Sequence, residues 1–102
     1  MQLVYITCNG PKEAKKIARK LLEKRLIACA NIVPKIDSLY WWNGKIEHSS
    51  EALLLGKTVK KNTSKIIEQT KKLHSYDVPC IEFIKISGQN KECEKWAKKV
   101  LK

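Results

Sequence analysis

The chain has 102 residues, 43% of them hydrophobic, with 4 glycines and 3 prolines. This composition predicts one globular domain over residues 1–102 rather than a disordered protein. Its 21 lysines and arginines against 10 acidic residues give a net charge of +11, which raises nucleic acids and membrane surfaces as partners. Because only Arg19 and Arg25 are arginines, we favour a solvated lysine coat over a specific nucleic-acid site.

The predicted elements begin with a short strand and an amphipathic helix. Residues 3–8 are apolar and rich in β-forming types, and Asn9–Pro11 ends this strand. Proline suits the first turn of a helix because an N–H would have no intrahelical partner there. Apolar residues then recur at helical spacing and predict a helix with one buried stripe: Ala14, Ile17, Ala18, Leu21 and Leu22.

A long β-hairpin follows this helix. We predict one strand over residues 26–42 and a returning strand over residues 45–58. Asn43-Gly44 between them is a strong signal for a type I′ turn, since both central residues of that turn need positive φ. Side chains alternate across a strand, so Trp41 and Trp42 should point to opposite faces of the hairpin.

Two helices and one strand complete the predicted fold. A helix is expected from residue 62 or 63 to residue 73, with Ile66, Ile67, Thr70 and Leu73 inward. A strand is expected from about residues 78–79 to residue 86. The last helix carries the apolar stripe Cys93, Trp96, Ala97, Val100 and Leu101. The order β-α-β-β-α-β-α predicts the α+β class: a ferredoxin-like βαββαβ fold with a long β-hairpin and an extra C-terminal helix.

The predicted hairpin is too long for a domain of this size to cover. Residues 28–42 would span about 50 Å when extended, whereas a compact domain of this length is about 33 Å across. Even with a bulge at Pro34, the tip with Tyr40, Trp41 and Trp42 should overhang. Since isolated ribbons are marginally stable, we expect a second copy of the chain to cover these aromatic residues, which makes them the predicted subunit interface.

Two other interpretations of the hairpin tip stay open. The ribbon could bend back so that Trp41 and Trp42 bracket the domain's own core, or one tryptophan could stack on a ligand.

The N-terminal residues and the cysteines bear on the compartment. MQLVYITC has neither a basic segment nor a long apolar segment, and no apolar run approaches the roughly 18 residues of a membrane span. We therefore expect a cytoplasmic protein with reduced cysteines and no membrane contact. Without C-x-x-C spacing there is no zinc knuckle, and Cys29 and Cys93 are predicted to be small core residues.

Four segments resemble the CutA family of divalent-cation tolerance proteins: EKRLIACANI (23–32), SLYWWNGKIE (38–47), EALLLGKT (51–58) and HSYDVP (74–79). Their shared order and spacing cover nearly the whole chain. The resemblance implies a ferredoxin-like fold, a homotrimer, a cytoplasmic setting and a role in tolerance of heavy metals, chiefly copper. It also implies a likeness to PII signalling proteins, and hence an alternative function as a sensor that binds a nucleotide or anion in clefts between subunits.

The resemblance further implies candidate metal ligands. Some family members are thought to bind copper through a cysteine after the first strand, a histidine beside an H-x-Y segment and a glutamate after a proline. Cys8 holds the first position, His74 is the histidine nearest the second, and Cys80 stands where the family has glutamate. A Cys/His/Cys site for copper or another divalent cation is one interpretation, since copper(I) favours thiolates. The other interpretation is that Cys8 and Cys80 are structural thiols that bind no metal ion.

The residues themselves favour no enzyme. There is no H-E-x-x-H motif, nucleophile elbow or pair of close carboxylates. His74, near a predicted helix C-terminus, is expected to be favoured there as a cation. A sensor function would rest on Lys57 and Trp42, but no glycine-rich phosphate loop accompanies them. The predicted third strand lacks the aromatics with which RNA-recognition modules stack bases.

Overall fold

The computed structural model describes all 102 residues as a four-stranded antiparallel sheet and three α-helices. The elements are β1 (Gln2–Cys8), α1 (Pro11–Glu23), β2 (Ala30–Trp42), β3 (Lys45–Thr58), a 3-10 turn (Lys60–Asn62), α2 (Thr63–Leu73), β4 (Ile81–Lys85) and α3 (Lys91–Val100). The strand order is β2-β3-β1-β4. This order confirms the predicted ferredoxin-like βαββαβ fold with an additional C-terminal helix.

The core lies between the sheet and helices α1 and α2. Alternate residues of the two central strands point to this face and are fully buried, including Val4, Ile6 and Leu54. The α1 stripe meets them as predicted, except that Leu22 at its margin is exposed. On α2, Ile66 and Thr70 are buried, whereas Ile67 and Leu73 are half-buried.

Two strands are shorter than predicted. Arg25 adopts φ 56°, a left-handed conformation that ends α1, and the next three residues enter the core before β2 begins at Ala30. The predicted start at residue 26 is therefore wrong by four residues, because apolar residues that fill a core resemble a strand in sequence. β4 begins at Ile81 rather than near residue 78, after Pro79, which has no N–H to donate to a ladder.

The hairpin overhangs the sheet as predicted. β1 pairs with residues 52–58 of β3, so the outer part of β3 pairs only with β2. The register shifts between Val33 and Ile36, around Pro34, and the molecule extends 44 Å along its longest axis. Asn43 and Gly44 have φ values of 51° and 76°, as a type I′ turn requires. We call the two-stranded part, residues 36–51, the ribbon.

Helix α3 contacts the sheet through the face opposite α1 and α2. Lys57 alternates with the buried residues of β3 and donates a hydrogen bond to Cys93 of α3. At its other end, the carbonyl of Val100 accepts a hydrogen bond from the Arg25 side chain, and the Lys102 N–H donates to the Arg25 carbonyl. Ala97 is the fully buried member of the predicted α3 stripe, while Trp96 is exposed.

Gly56 marks a close approach between β3 and the core. A Cβ built there would lie 3.1 Å from Cγ1 of Val4 and 3.2 Å from both Cδ1 and Cγ2 of Ile27. We expect Gly56→Ala to lower the free energy of unfolding by about 1–3 kcal/mol, because these buried side chains must shift to admit a methyl group. Urea unfolding measures the loss. Gly88→Ala, where a Cβ meets nothing within 4 Å, is the control; an equal effect at both sites would contradict the packing argument.

Candidate metal centre

Three potential metal ligands converge at one end of the sheet. Cys8 is the last residue of β1, Glu13 lies in the first turn of α1, and His74 directly follows α2. The topology explains this meeting, because α1 begins where β1 ends and α2 runs back toward the same end. One ligand atom from each residue lies within 4.8 Å of the others.

The Glu13 carboxylate accepts hydrogen bonds from two loops, the one after β1 and the one after α2. Its Oε2 accepts a hydrogen bond of 2.8 Å from the Asn9 N–H, and its Oε1 accepts one of 2.8 Å from the Ser75 N–H. Burial raises the pKa of Glu13, but the hydrogen bonds from Asn9 and Ser75 outweigh burial and leave the pKa below its ordinary 4.5. The contribution of the ionised Glu13 side chain to the stability of the fold is therefore complete above pH 4.5, and it is lost as pH falls through the folded-state pKa of Glu13.

His74 is held by both ring nitrogens. The fully buried ring donates from Nε2 to the Thr7 carbonyl at 2.8 Å, and its Nδ1 accepts from the Tyr76 N–H at 3.2 Å. In this pattern Nε2 is the ring's hydrogen-bond donor and Nδ1 is its acceptor. The lone pair of Nδ1, 3.8 Å from Oε2 of Glu13, is the ring's one position for a metal ion.

Cys8 is a protonated thiol in this environment. Burial raises its pKa to about 12, and the negative charges of Glu13 and Glu51 add to the effect. The side chain is fully buried, and its Sγ contacts the Ile6 carbonyl at 3.9 Å. A metal ion must therefore displace the thiol proton before Cys8 can act as a ligand.

Tyr76 and Glu51 extend the cluster toward the ribbon. The Tyr76 hydroxyl donates a hydrogen bond of 2.6 Å to Oε2 of Glu51, whose residue is 7% exposed. Burial, then this bond, raises the pKa of Tyr76 well above its ordinary value. The Tyr76 ring also lies 4.7 Å from the His74 ring, centroid to centroid. The carboxylate of Glu51 thus has a neutral donor beside it rather than a cation.

The structure brings together some of the candidate residues and separates others. Cys8 and His74 meet, but Cys80 is exposed in the loop before β4 and lies outside the cluster. Glu13, which our sequence reasoning did not assign, occupies the third position. An acidic residue in the first turn of a helix is a recognisable sequence signal, but nothing in the sequence connects this residue to His74.

Other candidates lie at the ribbon or on the far face. Tyr40, Trp41 and Trp42 are exposed on the ribbon, where the Tyr40 hydroxyl accepts a hydrogen bond from Ser49. Lys57, proposed for a sensor cleft, instead donates to Cys93. Cys93 is half-buried, as is Cys29, so neither is the core residue predicted.

None of the protein's helices has the length and apolar character needed to cross a membrane. Residues 2–100 match the family described as CutA1 divalent ion tolerance protein. A divalent-cation tolerance protein CutA from Archaeoglobus fulgidus is 43% identical over 93 residues, which cover 91% of this chain and 90% of that protein. The CutA protein from Thermococcus kodakarensis is 39% identical over 97% of this chain and 94% of its own length.

Solved structures agree with this match. The divalent cation tolerance protein from Thermus thermophilus superposes with a TM-score of 0.96 at 39% identity, covering 100% of both chains. A structure described as the periplasmic divalent cation tolerance protein CutA from Archaeoglobus fulgidus gives 0.95 at 39% identity, again over 100% of both chains. That description names a different compartment from the one predicted here. Since sequence and fold agree along the whole chain, this protein belongs to the CutA1 family of divalent ion tolerance proteins.

Proposed function

We propose that this chain is a homotrimeric divalent-cation tolerance protein that binds copper at Cys8, Glu13 and His74. The observation that carries the proposal is the convergence of a thiol, a carboxylate and an imidazole nitrogen within 4.8 Å. Sulfur and nitrogen donors suit copper and zinc, and a thiolate favours copper(I) in particular. The family's divalent-ion description supports the same class of ligand.

The donor set fits a soft or borderline metal ion after a small contraction. Ligand atoms around a tetrahedral ion lie about 3.5 Å apart, given bond lengths of about 2.0–2.3 Å. The present limit of 4.8 Å therefore exceeds the bound spacing by about 1 Å. Binding also requires loss of the Cys8 proton and of the hydrogen bond from the Tyr76 N–H to Nδ1 of His74. Affinity should consequently rise with pH.

The ribbon supports the assembly part of the proposal. Leu39, Trp41 and Ile46 lie on one face of it and are 71%, 71% and 63% exposed. Soluble monomers seldom expose a contiguous apolar surface of this kind. The outer edges of β2 and β4 also have no partner strand within the chain, and closed assembly covers such edges. Three copies are what the family resemblance implies.

We place this function in the cytoplasm. All four cysteines are free thiols, which suits a reducing compartment.

Copper(I) titration of the Cys80→Ser protein against the Cys8→Ser/Cys80→Ser protein tests the metal site. The shared substitution removes the exposed thiol, so that only the buried one differs. We expect one bound copper ion per chain in the first protein and at least a 10- to 100-fold weaker affinity in the second. The affinity of the Cys80→Ser protein for copper(I) should increase as pH rises, because binding releases the Cys8 proton.

Equal stoichiometry and affinity in the two proteins would show that Cys8 is a structural thiol. Removing Nδ1 coordination through His74→Gln in the Cys80→Ser background gives a second, independent comparison. Retention of full affinity there would remove the imidazole from the proposed site.

A further inference from the structure

A second thiol lies against a basic side chain far from the metal cluster. Nζ of Lys57 donates a hydrogen bond of 2.9 Å to Sγ of Cys93. The two residues are 36 positions apart in sequence and belong to β3 and α3. Both side chains are half-buried, so the contact is sheltered and still within reach of small solutes.

The backbone holds this pair in place. The Lys57 N–H donates to the Cys29 carbonyl, and the Lys57 carbonyl accepts from the Ala28 N–H at 2.8 Å. The hydrogen bond to Cys93 raises the pKa of Lys57, burial opposes that effect, and the charges of Cys93 and Cys29 add to it. The side chain is therefore an ammonium at neutral pH. A neighbouring lysine is one of the environments that make a cysteine reactive.

We propose that Cys93 and Lys57 form a reversible covalent cross-link when a hydroperoxide oxidises the thiol. This modification would join α3 covalently to β3, an interior strand of the sheet, in place of the present hydrogen bond. The substrate class is a small peroxide, and hydrogen peroxide is the simplest member.

The chemistry proceeds in two balanced steps. In the first, the Cys93 sulfur attacks one peroxide oxygen: an S–O bond forms, the O–O bond breaks, and hydroxide leaves with the thiol proton as water. Sulfur is thereby oxidised to the sulfenic acid by two electrons, which the peroxide accepts.

In the second step, the Lys57 ammonium first releases one proton to solvent, and the lone pair that this leaves on Nζ attacks the sulfenic sulfur. An S–N bond forms and the S–O bond breaks, and the hydroxyl leaves as water with one proton of the amine. Sulfenic acids are known to condense with a nitrogen nucleophile in this way. Two equivalents of a thiol reductant restore the cysteine and the amine and are oxidised to a disulfide.

The other cysteines lack this combination of access and basic partner. Cys8 is fully buried, and its pKa is raised to about 12. Cys80 is exposed but has no hydrogen-bonding cation beside it, and the Cys29 thiol makes no side-chain hydrogen bond. Cys93 is therefore the thiol for which cross-linking to nitrogen is geometrically available.

Peptide mapping by mass spectrometry tests the proposal. The Cys80→Ser protein is treated with hydrogen peroxide, its remaining thiols are blocked, and it is digested with trypsin. We expect a linked peptide pair that contains Lys57 and Cys93, has lost two hydrogens, resists cleavage at Lys57 and disappears after dithiothreitol. A pair that also retains one oxygen supports the cross-link too, and indicates a second oxidation by peroxide.

The matched control is Lys57→Arg in the same background. It keeps the positive charge, but its guanidinium stays protonated and does not condense; the linked pair should be lost and Cys93 should proceed to sulfinic acid. Recovery of a Cys29–Cys93 disulfide, or equal sulfinic acid formation with lysine and arginine at this position, would overturn the proposal. Cys29→Ser separates the disulfide from the nitrogen cross-link, because it abolishes only the former.

Discussion

Trp41→Ser should convert the assembled protein into monomers at micromolar concentration. The indole is 71% exposed on the ribbon and lies beside Leu39 and Ile46 on the same face. Burying an aromatic side chain removes some 150–250 Å² from water, which contributes at most about 4–6 kcal/mol. Loss of about 4 kcal/mol per contact weakens association by roughly a thousandfold.

Size-exclusion chromatography with light scattering measures this change in assembly. Lys45→Ala is the matched control, because Lys45 lies at the same ribbon tip, is exposed, and pairs with Trp42 rather than Trp41. The control should keep the mass of the unmodified protein. A serine variant that also keeps that mass would show that Trp41 is not part of a subunit contact.

Tyr76→Phe should lower the free energy of unfolding by about 2–3 kcal/mol. The substitution removes the hydroxyl that donates at 2.6 Å to Glu51 and leaves a buried carboxylate without that donor. Hydrogen bonds to charged groups contribute about 1.5–3 kcal/mol, and an unsatisfied buried partner adds its own desolvation penalty. Urea unfolding at neutral pH gives the difference. Tyr5→Phe, which removes a half-buried phenol that makes no hydrogen bond, should change little.

The pH dependence of stability distinguishes a contribution of the Tyr76–Glu51 hydrogen bond from a contribution of side-chain packing alone. Because the pKa of Tyr76 is raised in the folded protein, its contribution is complete below the ordinary value of 10.0 and is lost as pH rises toward the folded-state pKa. The unmodified protein should therefore lose stability above about pH 10 by a component that Tyr76→Phe lacks. In a double-mutant cycle, Glu51→Gln should reduce the penalty of Tyr76→Phe. Parallel alkaline profiles and strict additivity would contradict the proposed bond.

Local signals explain why most of the fold could be predicted. Helices α1 and α2 follow from apolar spacing, and the ribbon follows from the positive φ that Asn43 and Gly44 adopt readily. The start of β2 could not be read in this way. The residues after Arg25 fill the core but are not part of a strand. An apolar run of this length has the same appearance in sequence whether it forms a buried strand or an irregular buried segment.

The candidate metal site was harder to predict from the sequence than the fold, because its residues meet only in the tertiary structure. Cys8 and His74 were identified by position in a family pattern, and the same reasoning favoured Cys80, which the structure leaves exposed. Glu13 joins them only because α1 starts where β1 ends and α2 finishes at the same end of the sheet. No spacing of residues along the sequence indicates that these three side chains lie together, so the arrangement of helices and strands had to be known before the cluster could be found.

The mass of the unmodified protein in solution tests most directly whether other copies of the chain cover the ribbon. Light scattering at micromolar concentration should report three times the chain mass of 11.7 kDa, with tryptophan fluorescence typical of buried indoles. A folded species of 11.7 kDa whose Trp41 and Trp42 are nonetheless shielded from solvent would contradict the account, since one chain would then suffice to cover its own hairpin.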